Sequence, residues 1–485
     1  MSSILSQTQS VCPICRRPLA ASYIEEGGRV YFRKTCPLCG DFSVRAAPDA
    51  QKFSAWISAP VVNIPPKTAL TRGREGECPL HCGTCDRHLQ TACCVLLDVT
   101  DRCNRRCPWC FARAEMDGTT ENDPPLPVIE SWYDKLLELG EERAFNIQLS
   151  GGEPTVRDDL PEIVSMGREK GFEYIQLNTN GRRIAREEGY ARLLRESGVS
   201  VAFLQFDGLR EETYRVLRGD PPRGERQFAE KLNAVENCRK ARLPVTLVPT
   251  LVKNVNFDEI GAMIRFMLDN LDVVKGIHFQ PASFFGRHPD QVSGHKGKNA
   301  SKADLQKSSE QESPERVTLF DVMKAIEEQT DGLFREEDLL PIATGHPLCC
   351  FSGSFLRQRG GRVQSLMSVE QREQGISCCC GGTDPLGVIR KDRDFVLRKW
   401  QIGSAKKNDG SCCGPSAGKA AEADGPMSLD SFLDYLESNR FTLTGMAFQD
   451  GGNLDAERLK RCRVQVLTKD ERLIPFCAYN SLYRV

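Results

Sequence analysis

The stretch CNRRCPWCFA, residues 103–112, carries three cysteines, Cys103, Cys107 and Cys110, separated by three residues and then two. Most metals bound by thiolate take four ligands. Three cysteines on one short loop can hold three irons of a 4Fe–4S cluster and leave the fourth iron without a protein ligand. Such an open coordination position is what a reactive cluster needs, and a small molecule then supplies the missing ligand. Downstream, FNIQLSGGEP (145–154) reads as a strand running into a Gly-Gly-Glu turn. Gly151 and Gly152 allow close backbone approach to a ligand, and Glu153 offers a carboxylate to an ammonium group. Taken alone, that turn also reads as an ordinary glycine turn.

The remaining cysteines are clustered as well; the chain has 22. The opening MSSILSQTQSVCPIC lacks the basic start and apolar core of an export signal, so the expectation is metal ligation over disulfides. Cys12, Cys15, Cys36 and Cys39 form two C-x2-C knuckles about twenty residues apart, which suits one tetrahedral zinc or one rubredoxin-like iron. Cys78, Cys82 and Cys85 repeat the three-then-two spacing, and Cys93 or Cys94 follows, enough for a closed cluster. His81 and His88 lie nearby as supporting or surface residues. Cys349, Cys462 and Cys477 are the first choices for a further cluster, with Cys350, Cys378, Cys379, Cys380, Cys412 and Cys413 unassigned. Cys238, in ENCRKA, reads as a buried packing thiol.

These loops need a scaffold to position them. Apolar runs of strand length recur at 95–99, 145–149, 174–178, 201–206, 245–250 and 277–280, with helical patterns such as VIESWYDKLLELG and FDEIGAMIRFMLDN between them. Strands alternating with helices predict parallel βα units. In parallel βα folds ligands sit at the C-terminal strand ends. That gathers the cysteine loop, GGEP, NTNG with Asn178, Gln205 and Asp207 of QFDG, Pro249, Thr250 and Gln280 at one mouth. The ending NLDAERLKRCRVQVLTKDERLIPFCAYN reads as a helix, a hairpin and a cysteine-bearing tail. Residues 286–316 and 404–426 are polar, as linkers or insertions are.

The net charge of −1 gives no general attraction to nucleic acid. No apolar run approaches the ~18 residues of a membrane span. The expectation is a cytoplasmic protein, with peripheral membrane contact left open.

Together, C-x3-C-x2-C and GGEP resemble the radical S-adenosylmethionine (radical SAM) superfamily. Further motifs, including CPxC…CPxCG, CxxxCGxCxxH, LSGGEPTVRDDLPEI, TYRVLRG, FQPASFFGR and RLIPFCAYN, resemble one subfamily over nearly the whole chain. That subfamily contains tetraether lipid synthase and members described as hydroxymethylpterin methyltransferases. The resemblance implies an α/β fold: a partial (β/α)6 barrel over residues 95–285, preceded by a rubredoxin-like metal domain (1–60) and an auxiliary iron–sulfur segment (61–94). After a flexible insertion (286–316) comes a C-terminal α+β auxiliary-cluster domain (317–485). It implies S-adenosylmethionine held by Gly151, Gly152, Glu153, Pro154, Asn178 and Asp207, with Trp109 near the adenine, one catalytic and two auxiliary 4Fe–4S clusters, and iron rather than zinc at the knuckles. It also implies a ferredoxin-type electron donor. Two departures stand out: the subfamily pattern has a cysteine where this chain has Thr344, and a histidine where it has Gln465.

The implied reaction begins when an electron cleaves S-adenosylmethionine to methionine and a 5′-deoxyadenosyl radical, which abstracts hydrogen from an unactivated C–H bond. The expected outcome is C–C bond formation between lipid chains, and the alternative is C-methylation of a pterin-like molecule. A non-catalytic electron carrier is the other class; it has no use for an open iron beside a ligand turn.

Overall fold

The computed structural model describes residues 2–68, 78–140, 145–289, 315–366 and 435–484, apart from positions 84, 115, 117 and 343. Cys378, Cys379, Cys380, Cys412 and Cys413, most of the 286–316 insertion and the whole 404–426 stretch lie outside the described residues.

Strands β1 (Ser3–Val11), β2 (Pro18–Glu26), β3 (Arg29–Cys36) and β4 (Gly40–Ala47) form an antiparallel sheet in sequence order. One knuckle joins β1 to β2 and the other joins β3 to β4. Helix α1 (Ala50–Ile57) follows, its first turn capped by the Asp49 carboxylate, which accepts from Lys52 N.

The second sheet has 13 strands. Its centre is the parallel series β5 (Cys94–Thr100), β6 (Asn146–Gly151), β7 (Ile175–Thr179), β8 (Val201–Gln205), β9 (Val245–Val248) and β11 (Val274–Pro281), with β10 (Thr250–Leu251) pairing with β11. These are the six strand units expected from the apolar runs. The helices between them bury one stripe: in α2 (Leu126–Leu139) the buried residues Ile129, Trp132, Tyr133 and Leu136 recur at helical spacing.

The C-terminal α+β region completes this sheet at both ends. Strands β12 (Leu340–Pro341), β13 (Cys350–Arg357) and β14 (Val363–Ser365) are antiparallel, and β15 (Arg440–Met446) joins them to β11 by parallel pairing. At the opposite edge β16 (Val464–Leu467) pairs parallel with β5, and β17 (Leu473–Pro475) closes the hairpin. The N-terminal sheet and α1 join the same core: Tyr23, Phe32 and Phe53 cluster with Phe320, the Phe53 and Phe320 rings lying 6.3 Å apart. The sequence boundaries at 60 and 316 therefore separate stretches of chain that pack as one body of side chains.

Strand alternation sorts the barrel's two faces. Val95, Leu97, Ile147, Leu149, Ile175, Leu177, Leu204, Leu247, Ile277, Phe279 and Leu443 belong to the apolar core that also takes in the helices. The opposite, inner face carries Gln148, Gln176, Asn178, Phe203, Gln205, His278, Gln280 and Thr444. The inner face thus mixes amides, hydroxyls and one imidazole with the apolar Leu96, Phe203, Val248 and Val466, which the strand registers place in the same rows.

Candidate functional site

The cysteine loop leaves the C-terminal end of β5, and the Gly-Gly-Glu turn leaves the neighbouring end of β6. Backbone hydrogen bonds stitch the two together: Gly152 N donates to Thr100 O (2.8 Å) and Glu153 N to Arg102 O (2.8 Å). This contact explains both glycines. A Cβ on Gly151, whose φ is +127°, would stand 2.1 Å from Thr100 O, and one on Gly152 would stand 2.1 Å from Arg102 O. The close approach they permit is to the cysteine loop's own backbone.

Glu153 is 2 % exposed and firmly oriented. Its Oε1 accepts from Thr155 N (3.1 Å), Thr155 Oγ1 (2.7 Å) and Thr179 Oγ1 (2.7 Å). Its Oε2 accepts from Asn180 N (2.6 Å). Oε2 thus accepts one hydrogen bond where Oε1 accepts three, and is the oxygen with room for a further donor. Pro154 opens the short helical turn Pro154–Val156 that Glu153 caps. Asn178 Oδ1 accepts from Gln176 Nε2 (2.6 Å) on the inner face.

The three thiols are half-buried. Burial, with the Glu153 charge adding, pushes Cys103 up to about 12, and burial likewise raises Cys107, where Arg218 pulls the other way. Both shifts favour the neutral thiol at Cys103 and Cys107, and a bound cation would favour the thiolate. Trp109 is half-buried, its ring centroid 5.8 Å from Phe284 and 6.3 Å from His288.

Asp207, expected at the ligand, is fully buried in a two-pronged ion pair: Arg218 Nε donates to Oδ2 and Arg218 Nη2 to Oδ1, each at 2.6 Å. Thr250 N and Gln205 Nε2 also donate to this carboxylate. Arg218 in turn reaches the cysteine loop, Nη1 donating to Trp109 O (3.1 Å). Removing one partner from such a buried pair typically costs about 3–5 kcal/mol. A second guanidinium sits inside the loop: Arg105 donates to Gln227 Oε1 (2.7 Å) and to Glu230 Oε1. A third, Arg287, donates to Cys107 O (3.1 Å) and Ala114 O (3.0 Å). None of the three arginines was singled out from the sequence. Arg218 lies in TYRVLRG and Arg105 between two of the cysteines, but their carboxylate partners stand 11 and 125 positions away along the chain.

The knuckles have a different geometry. The ligand atoms of Cys12, Cys15, Cys36 and Cys39 all lie within 4.8 Å of one another, and Cys15 Sγ is 3.6 Å from Cys36 Sγ. Tetrahedral sulfurs on one metal at ~2.3 Å would be about 3.8 Å apart, so one metal fits. Cys15 N points at Cys12 Sγ (3.4 Å). Burial opposes ionisation of Cys36, yet the Leu38 and Cys39 amides and the Cys15 thiol bring it down to about 7.

Cys349, Cys462 and Cys477, scattered in sequence, lie close enough for Cys462 and Cys477 to feel the charge of Cys349, but among the described residues only the four knuckle cysteines bring their ligand atoms within 4.8 Å of one another. Burial pushes Cys462 up to about 12. Arg458 stands among these sulfurs, its charge favoured by Cys349 against the pull of burial. Cys78 and Cys82 hydrogen-bond each other, and Cys82 is raised by that bond, by burial, and by the charges of Cys78, Cys85 and Cys462. Cys93 sits where β5 begins, its sulfur accepting from Asn146 Nδ2 at 3.8 Å. At the departure positions, Thr344 accepts from Arg463, and Gln465 Nε2 lies 3.2 Å from His88 Nε2. Cys238 is buried in the core.

Residues 97–267 match the model of the Radical SAM superfamily, and residues 4–47 match that of the HMPTM N-terminal zinc ribbon domain. The chain is similar, at 32% identity over 505 aligned positions, to the 7,8-dihydro-6-hydroxymethylpterin dimethyltransferase of Methanocaldococcus jannaschii, covering 99% of this chain and 94% of that one. It therefore belongs to the radical SAM superfamily and, within it, to the family of that dimethyltransferase. The Fe-coproporphyrin III synthase of Methanosarcina barkeri is 31% identical over 233 positions, 47% of this chain and 54% of that protein. The structure of Streptococcus suis SuiB bound to S-adenosylmethionine aligns with a TM-score of 0.34 at 16% identity, covering 46% and 47% of the two chains. As a radical SAM enzyme the protein uses S-adenosylmethionine and a 4Fe–4S cluster, and its four-cysteine ribbon is a site for a single metal. No helix among the described residues is long and apolar enough to cross a membrane.

Proposed function

We propose that the protein is a radical SAM methyltransferase acting on a pterin-like small molecule, with Cys103, Cys107 and Cys110 holding its catalytic cluster. The observation that carries this reading is the near-full-length similarity to a pterin dimethyltransferase. The character of the inner barrel face supports it. Gln148, Gln176, Asn178, Gln205 and Gln280 present amide donors and acceptors, which suit a nitrogen-rich ring. A hydrocarbon chain, the substrate of the lipid-coupling reading, would offer nothing to the donors and acceptors that these amides retain beyond their bonds to one another, to Asp207 and to Lys231.

When bound, the cluster and S-adenosylmethionine supply one-electron cleavage chemistry that makes an unactivated C–H bond reactive. The protein's own groups bind and orient. Glu153 Oε2, the less occupied oxygen, would accept from the methionine ammonium, on a carboxylate already fixed by Thr155, Thr179 and Asn180. Trp109 supplies a ring face for the adenine. Asp207 acts at one remove, through Arg218, on the loop that carries the cysteines. A low-potential donor of ferredoxin type supplies the electron.

Cys78, Cys82 and Cys85, and separately Cys349, Cys462 and Cys477, are proposed as auxiliary-cluster ligands, and the knuckle site as a single iron. The test is anaerobic incubation of reduced protein and S-adenosylmethionine with 7,8-dihydro-6-hydroxymethylpterin or with a lipid, followed by mass spectrometry. A pterin carrying added methyl groups supports the reading. Coupled lipid with no methylated pterin defeats it.

A further inference from the structure

The cysteine loop is wrapped by buried positive charge that nothing in the cysteine or glycine motifs requires. Arg218 is the clearest case. Its side chain is 10% exposed and its partner Asp207 is 0% exposed. One edge of the guanidinium is taken by Asp207, Nη2 also donates to Thr250 Oγ1 (2.9 Å), and Nη1 donates to the carbonyl of Trp109, the residue between Pro108 and Cys110. The fork is therefore fixed by three elements: the ends of β8 and β10, and the loop itself. Two further guanidiniums lie against the same loop: Arg105, within it, donates to Gln227 Oε1 (2.7 Å), and Arg287 Nη1 donates to Cys107 O (3.1 Å).

We infer that Arg218 is a positioning residue that sets the reduction potential of the cluster on the cysteine loop, and that Asp207 trims its charge. The inference rests on the reading that Cys103, Cys107 and Cys110 hold that cluster. The step concerned is the transfer of one electron from a low-potential donor to the cluster; no bond forms or breaks in it. Uptake makes the cluster one charge more negative. A fixed cation in a dry setting favours that product and raises the potential, and a neighbouring carboxylate lowers it.

This predicts opposite signs for two substitutions in contact with each other, which loss of packing alone would not produce. The experiment is an anaerobic redox titration of the cluster's electron paramagnetic resonance signal in purified full-length protein, with iron content measured alongside. Arg218→Gln is expected to lower the potential by about 59 mV, a tenfold fall in the one-electron equilibrium. Asp207→Asn is expected to raise it by a similar amount, and Arg218→Lys to keep it near that of the parent. Shifts of one sign in Arg218→Gln and Asp207→Asn, or no shift in both with iron intact, overturn the inference. If Arg218→Gln fails to retain iron, the sign in Asp207→Asn decides: a rise upholds the inference, and a fall or no change overturns it. If Asp207→Asn fails, Arg218→Gln against Arg218→Lys decides in the same way, a lower potential in the glutamine variant alone being the supporting result. Absence of any signal assignable to the cysteine loop in the parent protein would strike instead at the underlying ligand assignment.

Discussion

The ribbon and the barrel mouth each organise cysteines, and they do so by opposite means. In the ribbon, four sulfurs converge within 4.8 Å through two hairpin knuckles, and the amides that favour thiolate belong to the knuckles themselves. At the mouth, three thiols occupy one loop, and their surroundings come from distant chain: Glu153, Arg218, Arg287 and the Arg105 partner Glu230. A site built from its own hairpins tolerates change elsewhere. A site built from several strand ends should be sensitive to many of them.

The largest effect that this contrast predicts is at the loop. Replacing Cys103, Cys107 and Cys110 together with alanine should remove one cluster's iron and all S-adenosylmethionine cleavage, since methyl groups cannot ligate iron. Retained 5′-deoxyadenosine in a chromatographic assay would break the assignment. Next comes Glu153→Gln. It keeps the shape but removes a charged acceptor worth about 1.5–3 kcal/mol, so the KM for S-adenosylmethionine should rise about 10- to 100-fold; an unchanged KM would remove Glu153 from the cofactor site.

A smaller effect concerns Lys231, which is 1% exposed and donates to Asn180 O and Gln205 Oε1 behind the mouth. Burial, and then the nearby Arg105, lower it from 10.5 to about 7. Between those two values the unfolded chain holds a proton that the folded chain has released. Stability should therefore rise as pH goes from about 7 to about 10.5. Denaturant midpoints across that range should climb in the parent and climb less in Lys231→Met; equal slopes would exclude Lys231 as the source.

The smallest effect on cleavage is expected from the ribbon. Cys12→Ala with Cys36→Ala should abolish the single-metal site, measured by metal analysis, while uncoupled S-adenosylmethionine cleavage changes less than about twofold. A loss as deep as that of the loop variant would show that the two regions are not independent. The metal content of the parent also separates iron from zinc: the same four sulfurs accept either.

Much of this architecture could be read from local pattern. The apolar runs placed the barrel strands to within a few residues, because a strand buried against helices needs consecutive apolar or alternating residues. The terminal helix, hairpin and cysteine tail were equally legible, and appear as Ala456–Lys460, β16 with β17, and the turn carrying Cys477. What was not legible was where the C-terminal strands would go. Nothing in VQVL announces pairing with β5, nor in RFTLTGM pairing with β11, because edge pairing is chosen by the open sheet edge that the barrel leaves. For the same reason the electrostatic neighbourhood of Cys349, Cys462 and Cys477 follows from those pairings and not from spacing.

By itself, then, the sequence determined the cysteine spacings, the glycine turn and the order of strands and helices, all of which depend on residues close together in the chain. The tertiary structure decided what surrounds them. It turned Gly151 and Gly152 toward the cysteine loop, closed Asp207 onto Arg218, and set Arg105 against Glu230. These are choices between partners separated by 11 to 125 positions. A buried charge takes whatever opposite charge the packed fold brings within reach, because in a dry interior leaving it unpaired costs more than any local preference can supply.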